Sequence, residues 1–264
     1  MGKKLSRTIE DFGDQWLRFP QNEGYYASET LFEDFCGSLL SRDKIQGKKI
    51  LEVGSGTGRI VKMLLGIGAS HVYAVEPSAA FDVLTRNTMN DKEKVTCYKL
   101  PGDKIPLINI DLAISFGVIH HIPNPKVAID RVYELLDRGG KFLIWVYGYE
   151  GNEQYLKVIL PIRKITQKIP DPLLDFISSI LNALAYIYMF LCKFISLPLR
   201  EYVISVFSKL DWMSRKMVIF DQLNPAYTKY YSKKEAEGIL INSGFKNVRL
   251  ENRHQYSWSV IGEK

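Results

Sequence analysis

The stretch ILEVGSGTGRI, residues 50–60, decides the fold of this chain. Its first residues end a short apolar run, KKILEV (48–53), of the kind that forms a buried parallel strand. A glycine-rich turn follows, and the apolar residues after Arg59 predict a helix that ends near Gly66 and Gly68. A strand, a tight glycine turn and a helix in this order are typical of a nucleotide-binding unit.

The same alternation of strands and helices continues for about a hundred residues beyond the first strand. Further strands are predicted at 71–77, 94–100, 110–117 and 141–148, with helices at 78–90 and 124–140; the second helix is predicted to stop at Gly139-Gly140. After a long intervening segment, Ser232 and Glu235 have the spacing of a capping box, and a last helix and two strands follow. Alternating elements of this kind predict an α/β fold with helices on both faces of a parallel sheet.

Composition narrows the class of protein without selecting a ligand. The chain has 264 residues, 46% of them apolar, and a net charge of +6 from 35 basic and 29 acidic residues, which is a modest excess. Three widely spaced cysteines indicate neither a disulfide framework nor a cysteine-rich metal site, so we expect a cytoplasmic protein. The N-terminus has basic residues without an apolar run behind them, and we expect no secretory signal.

The spacing of the glycines argues against a dinucleotide. Gly54, Gly56 and Gly58 form G-x-G-x-G, and Arg59 stands where the dinucleotide fingerprint requires glycine or alanine. Glu52, just before the turn, would repel a pyrophosphate and favour a cationic ligand. Glu76 follows the second strand, where a carboxylate can accept hydrogen bonds from both hydroxyls of a ribose.

Four motifs together resemble those of a known family. They are EVGSGTG (52–58), VEP (75–77), GDKIP (102–106) and SFGVIHHIP (115–123), each after its own predicted strand. In this order they resemble class I S-adenosylmethionine-dependent methyltransferases, over residues 46–148 and, more loosely, 232–264. The resemblance implies a Rossmann-like, seven-stranded, mostly parallel sheet with an antiparallel C-terminal hairpin, and S-adenosylmethionine as the cofactor.

The resemblance also implies which residues bind the cofactor. Glu52, at the end of the first strand, is one of the expected cofactor-binding residues. Glu76 with Pro77 would hold the ribose. Asp103 with Lys104 would hold the adenine, although relatives often have a fuller acidic stretch before the Ile-Pro pair. Gly54, Ser55, Gly56 and Gly58 would bind the methionine portion of the cofactor. Phe116 would form the wall beside its sulfonium.

The candidate catalytic residues are two adjacent histidines and an aspartate. A hydroxyl acceptor must lose a proton during methyl transfer, and an imidazole suits that task. His120 and His121 follow the fourth strand on the cofactor's edge of the sheet, and small-molecule O-methyltransferases favour His121 by resemblance. Asp221 could pair with a histidine or bind a hydroxyl. No metal is expected, because adjacent side chains diverge and no third ligand is near.

Three regions follow from these assignments. Residues 1–45 are expected to cover the cofactor site, residues 46–148 and 232–264 to form the cofactor-binding core, and residues 149–231 to form a helical, apolar, substrate-binding insertion. Within the insertion, Leu173 to Cys192 carry one charge, Asp175, over twenty residues. Three interpretations of this segment remain open: a soluble cap, an interfacial element that contacts a membrane, and a membrane span. A span would separate the last helix and strands from the sheet that they complete.

The expected activity is O-methylation of a small-molecule or lipid-linked acceptor, foremost a sugar hydroxyl in glycan or natural-product biosynthesis. A quinone or lipid acceptor at the membrane surface is the alternative, with peripheral membrane contact through 155–200. A non-catalytic nucleotide-binding protein is the alternative from another class. No nucleic-acid partner is expected, since no dense basic stripe appears. The sequence leaves the oligomeric state open.

Overall fold

The computed structural model describes residues 3–264, which contain a single seven-stranded sheet. Its strands are β1 (Lys49–Val53), β2 (His71–Val75), β3 (Val95–Tyr98), β4 (Ile110–Phe116), β5 (Leu136–Tyr147), β6 (Lys246–Arg253) and β7 (Ser257–Glu263). They lie in the order β3-β2-β1-β4-β5-β7-β6, and β7 runs antiparallel to both of its neighbours. The expected Rossmann-like sheet with its C-terminal hairpin is therefore confirmed.

Helices cover both faces of this sheet. The described residues form α1 (Lys3–Arg18), α2 (Glu29–Cys36), α3 (Arg59–Ile67), α4 (Phe81–Asn87), α5 (Lys126–Leu135), α6 (Glu153–Thr166), α7 (Asp171–Cys192), α8 (Arg200–Ser205), α9 (Trp212–Leu223) and α10 (Lys233–Ile241). The apolar sides of α2 and α3 share one core with the sheet, and those of α5 and α10 share a second core on the opposite face. The helices thus sandwich the sheet, as alternating elements require.

The strand order creates the place for a ligand. β1 pairs in parallel with β2 on one side and with β4 on the other, so the chain changes its winding direction between β1 and β4. In open parallel sheets ligands bind outside the carboxyl ends of the strands at such a switch point. Val53, Val75 and Phe116 end these three strands at one edge.

One predicted boundary is wrong. The apolar pattern predicts that the helix continues through Leu136 to the Gly139-Gly140 pair, but α5 ends at Leu135 and β5 begins at the next residue. Leu136 pairs with Ile110, and the register then shifts by a bulge that contains both glycines. A side chain at Gly140 would meet the Asp137 carbonyl oxygen at 2.8 Å, so the glycines serve the bulge rather than the helix end.

The segment between β5 and α10 folds into α6–α9. Helices α6 and α7 both pack on α9 around a small core of Leu156, Ile159, Leu174, Phe220 and Leu223. The segment starts and ends at neighbouring points, because Gly148 and Tyr231 form a parallel bridge. The capping box of α10 is present as predicted, with Ser232 and Glu235 each bonded to the other's backbone.

Among the described residues, α7 is the one helix long and apolar enough to cross a membrane, with a mean hydropathy of 1.6. Only 17% of its most apolar stretch is buried in the protein. Helix α7 packs on the outer side of α9 and does not line the cavity at the ligand edge of the sheet. Within this segment, the residues that cover the cavity come from α8, α9 and the turn between them.

Candidate active site

A cavity of about 610 Å³ opens at the carboxyl ends of β1, β2 and β4, within the range of small-molecule sites. One half is lined by the glycine turn and the strand ends. The other half lies between α1, α9 and the end of β5. These are called here the cofactor half and the acceptor half.

The glycine turn is held by its own backbone. The amides of Gly54 and Ser55 both donate to the Val75 carbonyl oxygen, at 2.8 and 2.9 Å. Gly54 has φ +80°, and a Cβ there would lie 2.3 Å from Val118 Cγ2, so only glycine fits. Gly54, Ser55 and Gly56 line the cavity, whereas Gly58 does not and caps the N-terminus of α3.

Glu76 joins this turn to the second strand. Its Oε2 accepts a hydrogen bond from the Gly56 amide at 2.8 Å, and its Oε1 accepts one from the Ser78 amide at 2.9 Å. The carboxylate is buried but lines the cavity beside Pro77. Both oxygens keep further lone pairs, which can accept hydrogen bonds from the hydroxyls of a ligand.

Glu52 lies at the base of the cofactor half with an unpaired oxygen. The side chain is 2% exposed, and its Oε2 has no hydrogen-bond partner among the described residues. Burial raises the pKa of this carboxyl from 4.5 to about 8, against a smaller opposing effect of Ser55. A buried carboxyl without a partner is costly, and a cationic ligand group would supply the missing charge and donor.

The rim of the cofactor half contains the remaining predicted residues. Asp103 and Lys104 line the cavity, with their charged atoms 4.0 Å apart and the lysine largely exposed. Phe116 is buried at the floor, where its ring lies 5.7 Å from Phe32 and 5.3 Å from Phe35. All the predicted cofactor residues except Gly58 therefore line one cavity.

Helix α1 closes the cavity over the glycine turn. Trp16 lies directly against Gly56, where a Cβ would be 3.3 Å from the indole. The Asn22 amide, just after the helix, donates to the Thr57 carbonyl oxygen at 3.0 Å. The N-terminal segment thus lies across the cofactor half.

The two histidines occupy different environments. His121 lines the cavity, and its Nδ1 lies 2.9 Å from the Tyr227 carbonyl oxygen, to which it donates. Its Nε2 is therefore the unprotonated nitrogen of the neutral ring, able to accept a proton. Burial lowers the pKa of His121, while the charge of Asp221 opposes this.

His120 lies behind its neighbour. It is fully buried, does not line the cavity, and has no hydrogen-bond partner for either ring nitrogen among the described residues. Its ring packs 4.0 Å from that of Tyr147. Burial lowers its pKa well below the usual value, so the ring is neutral and serves packing.

Asp221 reaches the acceptor half from α9 and is held by two groups that sequence reasoning missed. Its Oδ2 accepts a hydrogen bond from the Tyr147 hydroxyl at 2.9 Å, and its Oδ1 lies 3.5 Å from the Gln15 amide nitrogen. Tyr147 ends β5 at the ligand edge of the sheet, which is the signal that could have revealed it. Gln15 gives no such signal, because only the packing of α1 brings it there.

The sequence of this chain is similar to those of known methyltransferases. A family model described as a methyltransferase domain matches residues 51–142. The tRNA U34 carboxymethyltransferase of Vibrio cholerae is 27% identical over 172 residues, covering 62% of this chain and 52% of that protein. An uncharacterised methyltransferase of Geobacillus sp. is 25% identical over 168 residues, covering 62% of this chain and 77% of that protein. The chain thus spans about half the length of the carboxymethyltransferases it resembles.

Solved structures share the fold at low sequence identity. Magnesium protoporphyrin IX methyltransferase from Synechocystis PCC 6803, with bound SAH, has a TM-score of 0.58 at 13% identity and matches 99% of this chain and 100% of its own. The pyocyanin biosynthetic protein PhzM has a TM-score of 0.52 at 13% identity, matching 89% of this chain and 55% of its own.

The residues present fit the cofactor that this family uses. S-adenosylmethionine carries an ammonium group, which would satisfy the unpaired oxygen of Glu52, and ribose hydroxyls, which would meet Glu76. The glycine turn leaves room for the rest because no side chain fills it. Residues 51–142 therefore match a methyltransferase domain, and the cavity fits S-adenosylmethionine, the cofactor that the sequence motifs predict.

Proposed function

We propose that the chain methylates a hydroxyl oxygen of a largely apolar, small-molecule or lipid-linked acceptor, with His121 as the general base. The observation that carries this proposal is the hydrogen bond from His121 Nδ1 to the Tyr227 carbonyl oxygen. It leaves Nε2 as a proton acceptor in a neutral, buried ring that lines the acceptor half of the cavity.

The cofactor supplies an activated methyl group on a sulfonium, and this chain's residues prepare the acceptor. His121 Nε2 would take the hydroxyl proton as the acceptor oxygen bonds to the methyl carbon that the bound cofactor would supply, with S-adenosylhomocysteine as the leaving group. The Tyr227 carbonyl keeps its hydrogen bond to the imidazolium that results, and the charge of Asp221 stabilises it. Helix α1 helps to exclude water from the reacting atoms.

The lining of the acceptor half favours the lipid or quinone alternative over a sugar. Its side chains are mostly apolar or aromatic: Leu5, Ile9, Phe12, Tyr26, Trp145, Tyr147, Tyr202, Val206, Leu210, Met217, Val218 and Tyr256. The polar residues near Asp221 that a sugar would need bond to one another. Gln222 is bonded to Tyr147 and Tyr155, and Arg163 to Gln222 and Tyr230.

The carboxymethyltransferase relatives suggest a different transferred group, which this cavity suits less well. A carboxymethyl group carries a negative charge and needs a cationic partner near the reacting atoms. Among the described lining residues, the lysine and arginine side chains are Arg59 and Lys104, and the Arg59 guanidinium lies over the Tyr26 ring at 4.0 Å. Arg59 already donates to the Tyr26 carbonyl oxygen at 2.8 Å, and the acceptor half instead presents Asp221. Simple methyl transfer is the better match.

The test compares His121→Gln with His71→Gln, a histidine on β2 away from the cavity. Methyl transfer from labelled S-adenosylmethionine would be measured with a quinol carrying a short apolar tail and with a monosaccharide. We expect the quinol to be methylated and kcat to fall by about 10²- to 10⁴-fold in His121→Gln alone, with unchanged affinity for S-adenosylhomocysteine.

Three outcomes would contradict this proposal. Unchanged turnover in His121→Gln would exclude the base, and methylation of the monosaccharide alone would restore the sugar acceptor. Cofactor binding without turnover on any acceptor would favour the non-catalytic alternative. In the active enzyme, the acid limb of the kcat profile should lie below pH 6.5, because burial lowers the pKa of His121 from that value.

A further inference from the structure

Helix α7 differs from an ordinary surface helix in exposing an apolar side. It buries Leu174, Ser178, Asn182 and Cys192 against the protein, so two of its four buried residues are polar, while its outward side is apolar. The outward residues are spaced by three or four along one line and are 39% to 61% exposed: Leu173, Phe176, Ile180, Leu184, Ile187 and Leu191. We call this line the α7 stripe. Soluble helices bury such a stripe, so its position indicates a surface that meets something other than water.

The neighbouring helix α6 buries Leu156 and Ile159 but also exposes apolar side chains next to positive charge. It buries Arg163, which bonds to the Gln222 carbonyl oxygen and the Tyr230 hydroxyl. Its exposed apolar side chains are Val158, Leu160, Ile162 and Ile165, which are 40% to 67% exposed. Beside them, Lys157 and Lys164 lie two turns apart on one line of the helix, both exposed.

We propose that the α7 stripe and the exposed side of α6 dock on the surface of an anionic lipid bilayer. Apolar side chains beside exposed lysines are what an interfacial helix requires, because the apolar groups enter the acyl boundary while the lysines meet lipid phosphates. The stripe extends for roughly 30 Å at 1.5 Å per residue, which gives an element lying in the plane of the membrane a long contact.

The contacts of α7 favour lying on the membrane over crossing it. The Asn182 amide nitrogen donates to the Trp212 carbonyl oxygen at 2.9 Å, and Asp175 forms an ion pair with Lys216 at 2.8 Å. Both bonds tie α7 to α9 along its polar side. A spanning helix would have to break them and carry these polar groups into hydrocarbon.

This surface lies one helix away from the acceptor half of the cavity. Met217, Val218 and Asp221 of α9 line the cavity, while Phe220 and Leu223 of the same helix pack with residues of α6 and α7. A bilayer held against the stripe would therefore lie close to the cavity, which suits an acceptor dissolved in that bilayer. Docking goes beyond the proposed methyl transfer, and it is measured without turnover.

Sedimentation of the whole chain with phosphatidylcholine vesicles, with and without phosphatidylglycerol, tests the docking. We expect binding to the mixed vesicles, and an Ile180→Gln/Ile187→Gln variant should lower the partition coefficient by at least about tenfold. Met89→Gln/Leu107→Gln removes two side chains that are 63% and 84% exposed elsewhere, and should leave it unchanged.

The lysines supply the second arm. Lys157→Gln and Lys164→Gln should each weaken binding to mixed vesicles by about fivefold and leave binding to pure phosphatidylcholine little changed. Lys62→Gln and Lys92→Gln, exposed on other elements, are the matched controls. Affinity for S-adenosylhomocysteine, measured for every variant, shows that each remains folded.

Four results would overturn the proposal. One is failure of the whole chain to bind the mixed vesicles, and another is binding that ignores the stripe and lysine substitutions. The third is a stable dimer that Ile180→Gln/Ile187→Gln dissociates, which would assign the stripe to a second copy. Resistance of the cellular protein to alkaline carbonate extraction would likewise replace docking by a span. None of these results bears on His121, whose test uses soluble acceptors.

Discussion

The two halves of the cavity are built in different ways. In the cofactor half, the Gly56 amide and the Glu76 carboxylate that bind each other are 20 residues apart. In the acceptor half, Tyr147 and Asp221 are 74 residues apart, and Gln15 and Asp221 are 206 apart. The first half is therefore formed by local backbone geometry, and the second by side chains that only the complete fold brings together. Substitutions should fail in correspondingly different ways.

The largest effect is expected where backbone space decides binding. In Gly54→Ala the new Cβ would lie 2.3 Å from Val118 Cγ2 on a backbone with φ +80°. Strain and overpacking together should weaken S-adenosylhomocysteine binding by at least about 100-fold in calorimetric titration. Gly117→Ala separates the two causes, because its φ is +78° and nothing lies within 4 Å of its Cβ. Equal losses in both variants would mean that strain alone, rather than the Val118 contact, makes glycine necessary.

A smaller, pH-dependent effect is expected at Glu52, where charge decides binding. In the ligand-free protein its carboxyl stays protonated up to its pKa of about 8, whereas the ligand's ammonium group favours the carboxylate. Binding therefore releases a proton, and affinity for S-adenosylhomocysteine should rise with pH below 8, by up to about tenfold per unit. Titrations at several pH values check this slope. Glu52→Gln should remove it, and a slope that survives the substitution would assign the proton to another group.

The same carboxyl has an opposite effect on stability. Because folding raises its pKa from 4.5 to about 8, the native state binds the proton more tightly, and this contribution is complete below pH 4.5 and lost as pH rises toward 8. Glu52→Gln, which stays neutral, should gain stability over the parent protein across that window, by a few kcal/mol at most. Urea unfolding at the two ends of the window measures the difference. A constant difference would contradict the raised pKa.

The smallest effect is expected in the acceptor half, where one hydrogen bond among several is removed. Tyr147→Phe deletes the hydroxyl that donates to Asp221 at 2.9 Å and accepts from the Gln222 amide at 2.8 Å. We expect kcat/KM for the acceptor to fall roughly fivefold, with unchanged cofactor affinity. Tyr73→Phe on β2, outside the cavity, is the control. A parallel loss of cofactor affinity would show that the two halves are not independent.

The residues that line the cofactor half can be found from the sequence, because each follows a predicted strand. Its residues follow strands whose ends meet at one edge, so motif order alone brings Glu52, Glu76 and Asp103 together. The adjacent pair His120-His121 could not be resolved in this way, because the Tyr227 carbonyl that sets the tautomer is 106 residues away. The boundary between α5 and β5 was missed for a related reason: the Leu136 pairing with Ile110 overrides the helical periodicity.

The bridge between Gly148 and Tyr231 brings together the two ends of the segment 149–231, which we call the cassette. Since its two ends are already neighbours just beyond the end of β5, another segment could replace it without stretching the core. The exchange would carry more than the acceptor pocket, because Tyr227, which orients His121, belongs to the cassette. The cassette therefore determines both the acceptor pocket and the orientation of His121. A replacement segment that changes the acceptor must also supply a group that orients this histidine.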